Sequence, residues 1–206
     1  MWEPSLCDCS FQELIQTSQP VRMARLLFAL AYVLFISDGA LSQDCANLKE
    51  YDDFCDLMSM AKDENDKIPP LLKRKAFRAK QEEFTKGASD AQQKVADVLK
   101  KTETKERLIA LKEALTAEGT VLSEVKEFCE DKKTGREGER CAEVLQRFAD
   151  AVDALVRAVL ALPIESNMRK TIFDAYTDYN YQYLSEENSD LAQLTVTLTK
   201  TVVAAL

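Results

Sequence analysis

The chain has 206 residues, 46% apolar and 30% charged, with five glycines and five prolines, a composition that suits a helical domain with a real core. Its formal net charge of −8 argues against a nucleic-acid surface, which needs a basic face. The absence of any histidine removes imidazole acid–base catalysis, Ser-His and Cys-His nucleophilic pairs and the usual zinc sites. The 35 carboxylates stand in no distinguishing context, so nothing supports an enzyme or a cofactor.

Residues 1–22 form a mixed polar extension containing Cys7 and Cys9, and a second methionine follows at Met23. From Met23 the chain reads as a secretory signal: Arg25, an apolar run over 26–36, then the small-x-small pattern Ala40-Leu41-Ser42. The run is too short for a ~30 Å bilayer core at 1.5 Å per residue. Translation is therefore expected to start at Met23, residues 23–42 to be removed, and 43–206 to form a single secreted domain. No Asn-x-Ser/Thr acceptor occurs in 43–206, so N-glycosylation is not expected.

Leu48, Tyr51, Cys55 and Met58 mark a first helix over 44–62, followed by a polar linker. Ile68-Pro69-Pro70 then stops that helix and starts another. This second helix carries Phe77, Phe84, Ala88, Ala91, Val95 and Val98 and is expected to run to about Lys100, with Gly87 as a soft point.

Residues 102–163 read as a helical hairpin, begun by Thr102 or Thr104 as N-cap. One arm carries Leu108, Leu111, Leu115, Leu122, Val125 and Cys129. The other carries Cys141, Leu145, Phe148, Val152, Leu155, Val159 and Leu162, at alternating steps of four and three. Folding the chain back at Gly135 sets Cys129 opposite Cys141, Leu122 opposite Phe148, Leu115 opposite Leu155 and Leu111 opposite Val159. One pair misfits, Glu118 against Val152, beside Gly119. Ala88, Ala91 and Gly119 are small residues that either let helices approach or leave room.

After Pro163, Met168, Ile172, Tyr176, Tyr179 and Tyr183 share a fifth helical face. An acidic turn over 185–190 precedes an apolar tail, 191–206. Its Thr and Val content favours strand, but no partner strand exists, so a helix is expected.

Four cysteines fall in 43–206: Cys45, Cys55, Cys129 and Cys141. An even count in a secreted chain predicts two disulfides. The hairpin register pairs Cys129 with Cys141. Cys45–Cys55 follows, provided the chain folds back before Cys55, since ten helical residues span ~15 Å and bridged Cα atoms lie within ~7 Å. The alternative is a crossed pairing of both first-helix cysteines with the hairpin neck.

The expected fold is all-α, an elongated, disulfide-stapled antiparallel bundle of five or six amphipathic helices. Two surface features are candidate sites. In the basic run 72–80, Arg74, Lys75 and Arg78 share a solvent side and form a candidate polyanion contact, against the plainer reading of a solvated helix face. Tyr176, Tyr179, Tyr181 and Tyr183 form a candidate ligand or partner contact, against the edge of an ordinary amphipathic helix. The functional expectation is a secreted, non-catalytic binding module for an extracellular protein. The alternative is a carrier of a small hydrophobic ligand, which would need an apolar cavity above ~300 Å³ between helices.

Overall fold

The computed structural model describes residues 48–132, 134–184 and 190–206. The expected signal peptide, the upstream extension and Cys45 lie outside these residues. The described residues form six helices and no strand: α1 (Leu48–Leu72), α2 (Gln81–Leu99), α3 (Thr104–Cys129), α4 (Gly135–Ala161), α5 (Ser166–Leu184) and α6 (Leu191–Ala205), with a 3₁₀ turn (Lys75–Phe77) between α1 and α2. The helices belong to one compact unit. The tail is helical, as expected from the lack of a partner strand.

The hub is α4. From Phe148 to Leu160 it buries Phe148, Ala149, Ala151, Val152, Ala154, Leu155, Val156, Ala158, Val159 and Leu160. That is more than one stripe, and a helix apolar on most sides belongs inside. It touches α1, α3, α5 and α6, and its most extensive partner is α1 rather than the adjacent hairpin arm α3. The alternating stripe read from sequence is therefore only one of its buried faces. Near its start the true core residue is Val144, while Leu145 is half-buried.

Two core clusters divide the interior. One gathers Phe54, Met58, Val95, Val98, Leu111, Leu115, Leu155, Val159, Ile172 and Val202. The other gathers Ile68, Leu72, Phe77, Phe84, Val121, Leu122, Val125, Cys129, Cys141 and Phe148. The hairpin register holds at its neck, where Cys129 and Cys141 are disulfide-bonded. Gly135 supplies the fold-back with a positive φ of 69°, a conformation that costs glycine little.

This bond closes a sequence separation of 12. In the chain-entropy model a loop of that size contributes ~3 kcal/mol. The double variant Cys129→Ser/Cys141→Ser is expected to lose about that much in urea unfolding, with the helical circular-dichroism signal intact. An unchanged midpoint would show that the neck is held by packing alone.

Three expectations about helix ends are corrected. Pro69 and Pro70 do not start a new helix; they lie inside the last turns of α1. They deprive the Asn65 and Asp66 carbonyls of helical partners, which costs ~3 kcal/mol or more in a helix interior. Burial of Ile68, Leu71 and Leu72 on the stripe begun by Phe54, Met58 and Ala61 offsets it. The long second helix is broken: residues 73–80 contain only the 3₁₀ turn, and α2 begins at Gln81 with Glu82 and Glu83 in its first turn. Acidic groups suit a helix N-terminus and the preceding cations do not. Finally, neither Thr102 nor Thr104 caps α3; Glu103 holds that position without a side-chain cap bond.

Other ends are closed by side chains. Arg169 of α5 donates to the Leu160 and Leu162 carbonyls at 2.8 Å each, satisfying the end of α4 across Pro163. Asp190 caps α6, accepting from the Gln193 N–H at 3.0 Å. The small residues let helices approach. A Cβ on Gly87 would come 2.6 Å from Val121 Cγ2, and one on Gly119 would come 2.8 Å from Thr199 Cγ2. Gly87 is thus a close-contact point between α2 and α3, not a soft point.

The second expected disulfide finds no support. Cys55 carries a free, exposed thiol on α1, and the chain is helical from Leu48 through Cys55. The crossed pairing with the hairpin neck is overturned, because Cys129 and Cys141 bond each other.

Candidate functional site

Because residues 73–80 leave the helix, Arg74, Lys75 and Arg78 are not three points on one helix face. Arg74 has an extended backbone (ψ 153°) and ends the α1 connection; Lys75 opens the 3₁₀ turn and Arg78 closes it. Ala76 and Phe77 point inward and are buried, which forces Lys75 and Arg78 outward. The Arg74 guanidinium reaches α4, where Nη1 and Nη2 both engage the Glu143 carboxylate.

This contact brings the run against the first turns of α4. A cleft of about 340 Å³ opens between them, lined by Arg74, Arg136, Arg140, Glu139 and Glu143. Arg136 and Arg140 are four residues apart, so they share one side of α4. From the α3–α4 loop, Lys132 lies over the Phe128 ring at 3.2 Å and donates to the Ala76 carbonyl at 3.4 Å. The sequence reading missed Arg136 and Arg140; only the fold-back at Gly135 places them beside Arg74.

The tyrosines divide. Tyr176, Tyr179 and Tyr183 stack as a ladder along α5, with ring centroids 6.4 and 6.2 Å apart. Tyr179 is buried, and the Tyr176 hydroxyl donates to Asp153 Oδ1 of α4 at 2.8 Å. Burial raises the pKa of Tyr176 and of Tyr179 above that of an ordinary phenol, with the Asp153 charge adding to both, so these phenols stay neutral and serve packing. Tyr181 alone is open to solvent, at 76% exposure. The four tyrosines therefore do not form one contact surface.

The residue that misfitted the hairpin register has an unusual position. Glu118 on α3 is completely buried, and both carboxylate oxygens lack a hydrogen-bond partner. Burial pushes its carboxyl up to about 8, and Asn65 of α1 opposes the rise. Asn65 is itself buried and donates through Nδ2 to the Ala61 carbonyl at 3.1 Å, while its Oδ1 has no partner. Among the described residues no charged group acts on Glu118. The arrangement suits a neutral carboxylic acid held in the core, with no route to an external substrate.

A second cleft, of about 480 Å³, lies between α2 and α3. Lys94, Asp97, Lys100, Lys101, Glu106 and Glu113 line it, with Ile109 and Ala110 as its apolar part. A Lys94–Glu113 ion pair at 2.6 Å crosses it. Among the described residues no group of three or more His, Cys, Asp or Glu could hold a metal ion, and no helix is long and apolar enough to cross a membrane.

No family model, curated protein or solved structure matches this chain.

Proposed function

We propose that the protein is a secreted, non-catalytic interaction module that meets its partner through its outer surface. The observation that supports this is where the free space lies. The spaces between helices are filled by Phe54, Phe77, Phe84, Phe148, Met58, Leu111, Leu115, Leu122, Leu155 and Leu160, all essentially inaccessible. Both clefts described above are open and lined mainly by charge. A carrier of a small hydrophobic ligand would need the reverse, an apolar chamber with a polar exterior. The neutral buried tyrosines and the isolated Glu118 carboxyl likewise offer no paired acid and base.

Native mass spectrometry of the protein secreted from eukaryotic cells tests this reading. The expected spectrum shows a chain beginning near Gln43 with an intact Cys129–Cys141 bond and no retained small molecule. A lipid-sized mass lost on denaturation would replace the module with the carrier. Retention of the whole chain inside the cell would overturn secretion.

A further inference from the structure

We infer that the basic end of the bundle binds a linear sulfated polysaccharide, with Arg136 and Arg140 of α4 and Arg74 of the α1–α2 connection holding one anionic group in the cleft, and Lys75 and Arg78 meeting the chain beyond it. The inference rests on the extracellular reading above and gives it a partner.

Four observations carry it. First, the fold gathers cations that the sequence keeps apart. The run 73–80 has five positive residues and no acidic one, within a chain whose net charge is −8. The Arg74–Glu143 contact and the Lys132–Ala76 hydrogen bond bring that run against the start of α4.

Second, the cleft has guanidinium capacity to spare. Glu143 engages Arg74, but among the described residues neither Arg136 nor Arg140 has an ion-pair partner, although Glu139 lines the same cleft. A planar guanidinium fork matches two oxygens of a sulfate, carboxylate or phosphate. The volume of about 340 Å³ accommodates one anionic sugar unit rather than a large ligand.

Third, the surroundings disfavour a lipid surface. The exposed large apolar side chains of the described residues are Met60, Leu99, Ile109 and Tyr181, and none lies in 73–80 or 130–143. A membrane-binding patch adds apolar anchors to its cations. Here the apolar members of the run, Ala76 and Phe77, are buried in the core.

Fourth, the cations extend beyond the cleft. Lys75 and Arg78 are exposed on the 3₁₀ turn. A polymer with an anion on every unit fills the cleft and engages these outer charges at once, and linked weak contacts add.

The experiment is a titration of the purified chain with a size-defined heparin oligosaccharide at several salt concentrations. The same sugar with its sulfates removed and a poly-glutamate peptide of equal charge serve as comparisons. The expected result is saturable, salt-sensitive binding of the sulfated sugar, at least about tenfold tighter than either comparison. Arg136→Ala/Arg140→Ala is expected to weaken it about tenfold or more. Lys105→Ala/Lys112→Ala, which removes the same charge from exposed positions of α3, is expected to change it less than about twofold. Equal losses in the two variants would reduce the effect to net charge and overturn the site. Equal binding of poly-glutamate would replace the sugar with an acidic protein partner. Absence of saturable binding by the wild-type chain would overturn the proposal outright. None of these outcomes depends on where cells send the chain, so secretion fails or stands separately.

Discussion

Replacing Glu118 by glutamine is expected to stabilise the protein by a few kcal/mol at pH 8 and by little at pH 5. The buried Glu118 carboxyl is raised from 4.5 to about 8, mainly by burial. Between those two values the native state keeps a proton that the unfolded chain releases. Stability then falls as pH rises, by ~1.4 kcal/mol per unit, and levels off above the folded value. The groups held low, Glu64, Asp66 and Asp97, act with the opposite sign: their stabilisation is present above the ordinary carboxylate range and lost in acid, outside this window. Glutamine keeps the shape of the acid and never ionises, and its amide donates where the protonated acid would. Asn65 Oδ1, unpartnered beside it, is the natural acceptor. Urea titrations at pH 5, 6.5 and 8 measure this. The wild-type midpoint should fall across the series and the Glu118→Gln midpoint should stay nearly level. A level wild-type series with no gain in the variant would mean that Glu118 reaches water.

Leu155→Ala is expected to lower stability by ~3–4 kcal/mol. Leu155 is fully buried in the C-terminal half of α4, the helix on which most of the bundle is packed. Removing a buried leucine costs its transfer free energy and leaves a cavity that neighbours on several helices cannot all collapse to fill. Ile109→Ala, at a position 54% exposed, should change stability by less than ~0.5 kcal/mol. Denaturant unfolding of both variants makes the comparison. Similar small losses would show that the centre of the bundle can repack, contrary to the close helix contacts at Gly87 and Gly119.

The all-helical fold was legible because helical periodicity is a local property. The stripes of α2, α3 and α4 repeat over several turns, and Cys129 with Cys141 fixed the hairpin neck. What escaped depended on neighbours distant in sequence. Proline at positions 69 and 70 is a strong local stop, yet the surface covering Ile68 and Leu72 belongs to helices later in the chain and keeps α1 going. The basic run continued a plausible stripe through Phe77, and the conflict between its charges and the helix dipole was the visible sign of a break. Glu118 was noticed as a misfit, because periodicity marks an odd residue without saying what surrounds it. Arg136 and Arg140 gave no signal of their own, since a cleft between two segments is a property of the pair.

The pairing of α1 with α4 sets an order on biosynthesis. At least 62 residues separate the end of α1 at Leu72 from the start of α4 at Gly135. At 5–20 residues per second a ribosome needs roughly 3–12 s to make that stretch, and longer to complete α4. Until then the nascent α1 carries Phe54, Met58, Ala61, Ile68 and Leu72 without their largest cover. Local helices form in well under a millisecond, so the wait belongs to translation rather than to folding. The growing chain thus presents an apolar helix to its surroundings for seconds, a natural ligand for chaperones, and the emergence of α4 releases it.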